Sequence, residues 1–421
     1  MKSQQEPPLS LVDKAVAWLR LRPAILREIV YFLLPQRSVV AAAGTTYVLG
    51  YAESLAVLER DGDFQLSEPV RARFPTGSFI LTMEDSEQYR DERRQLCHAF
   101  YRENDFSAAL GEYVQKRCDE ILRSVKPAHG ALDVVGEYAE PIAAETVCRF
   151  IIGPAAETGT QPVPVWFIPV VQQLSTLVIT QQTVDEALLR SYADARNQLC
   201  AWIETRVTIL QDSHDLQGRD VVSNLVRIGM PKEAIVRSIA GMVIAGIGNI
   251  AAGVGKAVDE LLLRPSVLRQ AQQLLSDGRV KDAARLDLAL HYAFEALRFN
   301  PVFPVLTRHC VRQTGITTRT GEIIRVAAGD SVIVAVLAAM QDSAAFPDPR
   351  RFLIDRPLEK YLHFGSGLHK CFGEQIARQQ IALLMAALLS QPTLARSAHS
   401  GHSDDLEYEG PYLRHVWVET R

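Results

Sequence analysis

The sequence predicts a mainly α-helical single domain carrying small antiparallel β-sheets, and three observations lead there. Apolar residues recur at a spacing near 3.6 over most of the chain, β-branched runs are few and short, and no internal repeat or long low-complexity segment divides the 421 residues. Helical periodicity runs through 91–100, 106–125, 137–152, 184–210 and 285–299. Short β-branched runs near residue 38, from 315 and at "RHVWVET" are bounded by glycine or charge and read as strands. The chain is long for one ordinary domain, but an α-rich enzyme reaches this size around one buried cofactor, so 1–421 is read as one unit. About the first ten residues, polar and proline-containing, are read as a loose tail.

Composition excludes several function classes. A formal charge of −4, with 45 basic side chains scattered along the chain, gives no basic field for nucleic acid. The six cysteines stand far apart with no CxxC pair, which argues against zinc and against a disulfide framework and suits reduced thiols. The opening "MKSQQEPPLS" is no signal peptide, and the apolar run 29–34 falls far short of the roughly 20 residues that cross a bilayer. The expectation is a soluble, cytoplasmic protein without a membrane span. Two Gly/Pro-rich stretches, 68–78 and 153–166, interrupt helical patterns and read as surface connections or as mobile segments over a binding pocket.

The stretch "AGIGNIAAGVGK", 245–256, has four glycines and ends on a lysine, which raises the question of a phosphate loop. A phosphate loop needs a glycine five positions before Gly255 and a hydroxyl after Lys256; Ile250 and Ala257 stand there instead. A dinucleotide fingerprint fails because helical sequence, not a strand, precedes it. The alternative is one long helix opened by Pro231 and closed before Pro265, roughly 50 Å at 1.5 Å per residue. Glycine inside a helix costs about 1 kcal/mol relative to alanine. Four such positions imply close helix packing or a flat ligand against that face.

The second special stretch is "HFGSGLHKCFGEQIARQQIALLMAALL" from 363, in which a glycine-rich turn delivers Cys371 to the start of an amphipathic helix. Amide dipoles at a helix N-terminus favour a thiolate. Six specified positions in ten, Phe364, Gly365, Gly367, His369, Cys371 and Gly373, match the pattern FGxGxHxCxG. On these residues the chain resembles the haem-thiolate enzymes of the cytochrome P450 family, in its bacterial soluble type, from about residue 38 to the end. The family's ExxR pair is matched by Glu295 and Arg298, one helical turn apart on one face, and its third partner by Arg351.

The resemblance implies that haem b sits between the long distal helix and the helix after Cys371, with Cys371 as axial ligand and Phe364, Gly365 and Gly246 beside the cofactor. It also implies that Arg93, Arg308 and His369 hold the haem propionates; Tyr89 replaces a common histidine, and its phenol still donates to a carboxylate. By the same resemblance Glu295, Arg298 and Arg351 form a structural charge network. An apolar small molecule is then expected among 66–81, 244–249 and 302–306, including Ile244, Val302, Phe303 and Val305. Arg71 and Arg73 either anchor a fatty-acid carboxylate or are solvated loop charges.

Cysteine ligation pushes electron density to iron and favours O–O cleavage. The family generally inserts one oxygen atom from O2 into a C–H or double bond. This chain carries no flavin or nicotinamide motif, so electrons come from an external ferredoxin or flavin reductase. The distal helix departs from the family form AGxxT preceded by an acid: Ala245 and Gly246 match, but Gly248 takes the acid's place and Asn249 the threonine's. The usual proton relay is therefore missing. In one reading Asn249 holds a water, or the substrate supplies a hydroxyl, in a monooxygenase. In another the enzyme uses a peroxide or lipid hydroperoxide, as a peroxygenase or a hydroperoxide isomerase or lyase, with Asn249 contacting it. A nitric oxide reductase and a haem sensor are further readings, and an amide simply satisfying a backbone carbonyl is the plainest account of Asn249.

Overall fold

The computed structural model describes residues 23–33, 37–42, 44–66, 77–102, 106–128, 131–153, 163–179, 186–213, 218–277, 282–398, 406–409 and 412–420. Arg71, Arg73, the tail at 1–10 and most of the two Gly/Pro-rich stretches lie outside the described residues.

In chain order the helices are α1 (Pro23–Leu33), α2 (Tyr51–Leu58), α3 (Glu87–Tyr101), α4 (Phe106–Ala128), α5 (Glu140–Thr146), α6 (Phe167–Ile179), α7 (Glu186–Ser213), α8 (Val221–Arg227), α9 (Lys232–Leu262), α10 (Pro265–Leu275), α11 (Asp282–Phe299), α12 (Val336–Ala339) and α13 (Glu374–Leu389). The strands are β1 (Val39–Ala42), β2 (Thr45–Val48), β3 (Phe64–Gln65), β4 (Ala131–Asp133), β5 (Leu306–Cys310), β6 (Thr314–Thr317), β7 (Ile323–Val326), β8 (Ser331–Val334), β9 (Leu394–Arg396), β10 (Glu407–Glu409), β11 (Tyr412–His415) and β12 (Trp417–Thr420). The helical body shares one apolar core reaching from Phe79 to Val418, and a smaller core under the main sheet gathers Val39, Val48, Phe64, Val332 and Val334.

The main sheet has the order β1-β2-β8-β5-β3. One expectation is corrected here: β2 pairs with β8 in parallel, Thr45 opposite Ser331 through Val48 opposite Val334, while the neighbouring pairs are antiparallel. Parallel pairing needs a long crossover, and most of the helical body supplies it. The predicted helix at 137–152 also differs. It starts and ends in wide π-helical turns, Val134–Ala139 and Val147–Ile152, on either side of α5. Pro141 lacks an amide hydrogen and so cannot continue an i to i−4 ladder, which accounts for the wider turn before it.

Helix α9 runs between the two prolines expected as its limits, with Pro231 at its N-cap and Pro265 opening α10. Its 31 residues span about 46 Å. By length and apolar content α9 is able to cross a bilayer, but here it packs against α5, α6, α7, α11 and α13.

Candidate functional site

The Cys371 loop is shaped by two glycines in the left-handed region, Gly365 at φ 68° and Gly367 at φ 73°. At Gly367 a Cβ would stand 2.3 Å from the Leu58 carbonyl oxygen, so the loop lies directly on the end of α2. The turn is closed by the Cys371 amide donating to the Phe364 carbonyl at 2.9 Å. The Phe364 ring leans on Phe294 of α11. Tyr101 donates to the Phe372 carbonyl, and Phe100 meets the Phe372 ring edge-on at 5.2 Å. Cys371 is half-buried directly before α13. Burial pushes its thiol above the ordinary range, against the hydrogen bond from the Gly373 amide that favours thiolate. The expected helix-terminus effect is thus outweighed by desolvation, and a coordinated metal ion is what would deprotonate such a thiol.

The three predicted cations fall near this loop, and their unmet bonding is informative. Arg308, on β5, is buried, its Nε has no hydrogen-bond partner among the described residues, and desolvation pulls its pKa down to about 10. His369 Nδ1 is likewise buried without a partner among them, while its Nε2 lies 2.9 Å from Asp61 Oδ1. Arg93 stacks over the Tyr89 and Phe372 rings, and among the described residues it makes no ion pair. Buried guanidinium and imidazole groups with open donors are costly unless an anion arrives. They fit the two carboxylates of haem b. Tyr89 requires a correction: its hydroxyl donates to the Leu368 carbonyl at 2.9 Å, so the phenol's only proton braces the Cys371 loop instead of meeting a propionate.

The glycines of α9 divide between two faces, as 100° per residue requires. Gly246 and Gly253 share one face with Asn249. At Gly253 a Cβ would touch Ile381 of α13 and Val302 at 3.7 Å, whereas at Gly246 it would meet nothing within 4 Å. The opposite face carries Gly241, Gly248 and Gly255, and close packing explains two of them: a Cβ at Gly241 would come 2.7 Å from Phe79, and one at Gly255 2.7 Å from Val135. Gly248 lines a water-sized cavity with Val135, Glu140, Gln172, Ser175 and Leu413. One expectation is corrected by this geometry: Gly248 does not share the open face with Gly246 and Asn249. Ile244 is 3% exposed, and its carbonyl accepts from Ser175 Oγ at 2.7 Å. Val302, Phe303 and Val305 are half-buried in the segment before β5.

Asn249 donates through Nδ2 to the Ala245 carbonyl at 2.6 Å, one turn back. Its Oδ1 has no partner among the described residues and remains an open acceptor on the side of Gly246.

Glu295 and Arg298 form a fully buried bidentate pair, with Nη2 to Oε1 at 2.7 Å and Nε to Oε2 at 2.9 Å. The Leu353 amide and the Tyr361 hydroxyl also donate to Glu295, at 2.9 and 2.8 Å. The predicted third arginine is corrected. Arg351 has a side chain 70% exposed that faces Asp348, and only its carbonyl joins the network, accepting from Arg298 at 3.0 Å. Arg356, 6% exposed, reaches Glu295 at 3.4 Å. Between Arg351 and Arg356 the chain meets the network through its backbone, at the Arg351 carbonyl and the Leu353 amide, and a charged side chain joins only at Arg356, which the spacing along "PRRFLIDRP" does not reveal. Asp61 and Tyr101 also escape a reading of the sequence, because neither belongs to a motif and both act through loop contacts.

The family model for Cytochrome P450 matches residues 44–394. The mycinamicin IV hydroxylase/epoxidase of Micromonospora griseorubida is 25% identical over 319 residues, which is 74% of this chain and 72% of that protein. A bifunctional dioxygenase–epoxy alcohol synthase of Fusarium oxysporum is 32% identical over 186 residues, 42% of this chain but only 14% of that much longer protein. Among solved structures, CalO2 superposes with a TM-score of 0.77 at 23% identity, covering 96% of this chain and 97% of CalO2.

Proposed function

Because the chain belongs to the cytochrome P450 family, we propose that this haem monooxygenase hydroxylates or epoxidises an apolar small molecule, using O2 and electrons from an external ferredoxin or flavin reductase. A soluble, cytoplasmic enzyme served by a separate redox protein is the arrangement this reading takes. The observation that carries it is Cys371, presented by a glycine-shaped loop beside Arg308 and His369, each with a buried nitrogen that has no partner among the described residues. Bound through Cys371, haem b supplies a thiolate-ligated iron at which oxygen is activated. Arg93, Arg308 and His369 hold its propionates. Phe364 and Gly365 shape the loop around the ligand cysteine, and Gly246 leaves room over the open face of α9. Val302, Phe303 and Val305 form the apolar wall.

Asn249 has no ionisable proton, so it is no acid. With Nδ2 committed to Ala245, its Oδ1 accepts a hydrogen bond from the O–H of a water or of the substrate and so holds that proton in place. Gly248 takes no part in this on its own face.

A second reading has specific support. The same open amide acceptor suits the O–H of a hydroperoxide, and the Fusarium protein that matches 42% of this chain is named an epoxy alcohol synthase. In that reading the enzyme is a peroxygenase or a hydroperoxide isomerase or lyase.

Two experiments test these readings. The reduced protein under carbon monoxide should show the far red-shifted Soret band of thiolate ligation, and Cys371→Ala should abolish it; an ordinary haem spectrum ends the proposal. A fatty-acid panel is then offered NADH with surrogate redox proteins, hydrogen peroxide, or a lipid hydroperoxide without oxygen. Turnover only with the electron chain and O2 supports monooxygenation. Turnover of the hydroperoxide alone supports rearrangement, and gas binding without turnover would point to a sensor.

A further inference from the structure

We propose that Asp61 is a positioning residue for the haem, holding His369 so that its free ring nitrogen meets a propionate. This rests on the proposal that the protein is a haem-thiolate enzyme. Asp61 lies in the turn between α2 and β3, next to the strand pair β3–β5 that carries Arg308. The same turn is fastened to the Cys371 loop: Gly367 lies on the Leu58 carbonyl, and Ser366 Oγ donates to Glu59 Oε1 at 2.7 Å. The fold thereby brings an acid from the first part of the chain against a histidine 308 positions later.

Asp61 Oδ1 stands 2.9 Å from His369 Nε2, and the two side chains are 14% and 6% exposed. With Nε2–H committed to Asp61, Nδ1 is the nitrogen left over, and it is buried with no partner among the described residues. The ring thus presents Nε2 to Asp61 and its opposite nitrogen, Nδ1, to the side where a propionate would lie. Arg308, whose Nε is also unpartnered among them, lies near enough to feel the Asp61 charge. An acidic side chain among cations that await an anion would compete with that anion if it pointed at the same donors. Here it takes the far side of the imidazole and leaves Nδ1 and the Arg308 Nε open. Partners behind a metal-ligating histidine fix its ring orientation, and losing them costs about 10–100-fold in metal affinity; the same orienting effect is expected for a histidine that meets a propionate.

The test uses the haem-loaded protein and follows haem transfer to excess apomyoglobin. Asp61→Asn should release haem roughly tenfold faster, and Asp61→Glu should recover part of the loss. In a His369→Gln background the same Asp61→Asn change should have little effect, since the two residues act as one unit. Haem loss unchanged by Asp61→Asn would mean that Asp61 plays no part in holding the haem, and loss that is slowed would mean that it competes with the propionate; either overturns the proposal. An equal effect in the His369→Gln background overturns it too. The carbon monoxide spectrum of the unaltered protein separates these outcomes from failure of the haem-thiolate proposal itself.

Discussion

Single residues show where a motif ends and an environment begins. Cys371, Glu295 and Arg298 are found through the family resemblance, since each belongs to a short local pattern that the family shares. Arg351 and Arg356 are separated only by burial. The pair Arg351–Asp348 is exposed on both sides and worth little, whereas Arg356 joins a buried carboxylate. We expect Arg356→Ala to lower stability by about 2 kcal/mol, through a lost hydrogen bond to a charged group, and Arg351→Ala to stay within about 0.5 kcal/mol, as read by denaturant unfolding. Equal effects would return the third place to Arg351. Asn249→Thr restores the alcohol the family carries; if Asn249 only holds a water, product formed per electron pair should not fall, whereas loss of hydroperoxide turnover would identify the amide as a specific contact.

At the scale of the element, α9 carries two kinds of glycine that the sequence presents as one cluster. Gly255 is there because a neighbour is: a Cβ would come within 2.7 Å of Val135 and 2.8 Å of Leu413. Gly255→Ala should therefore lower stability by about 1 kcal/mol, overpacking outweighing the gain in helix propensity. Gly246→Ala meets no protein atom within 4 Å. It should raise stability of the ligand-free chain by up to about 1 kcal/mol while weakening carbon monoxide or imidazole binding to the reduced or ferric protein. A stability loss at Gly246 equal to that at Gly255 would show that its face is packed as well. The period of 3.6 assigned both residues to a helix, but only the neighbours of each face distinguish them.

For the whole molecule, the buried charge on Lys256 sets an expected pH response. Its Nζ donates to the Pro301 carbonyl at 2.9 Å, and burial pulls its pKa down to about 8 from an ordinary 10.5. Below pH 8 both folded and unfolded chains carry the proton, and the cost of burying it is felt in full. Between about 8 and 10.5 the folded protein is neutral there while the unfolded chain still binds the proton, so stability rises with pH through this window and levels off above 10.5, where neither state carries the proton. Compared with Lys256→Met, the unaltered protein should gain up to about 3 kcal/mol across that window, as read by unfolding at several pH values. A constant difference would show that Lys256 is not buried as a cation.

Local chemistry along the chain is enough to give the helical class, the limits of α9 and the turn that delivers Cys371 to a helix, because periodicity, proline and glycine act within a few residues of themselves; the ExxR pair is legible through the family resemblance, because its pattern is short and local. Contacts between distant segments set the rest: which face of α9 is open, that β2 lies parallel to β8, that Arg356 replaces Arg351 beside Glu295, and that Tyr89 braces a loop. They also put Asp61 behind His369. Each of these depends on atoms from segments far apart in the chain meeting within hydrogen-bond or van der Waals reach, and the spacing of residues along one segment carries no record of what the other segment brings.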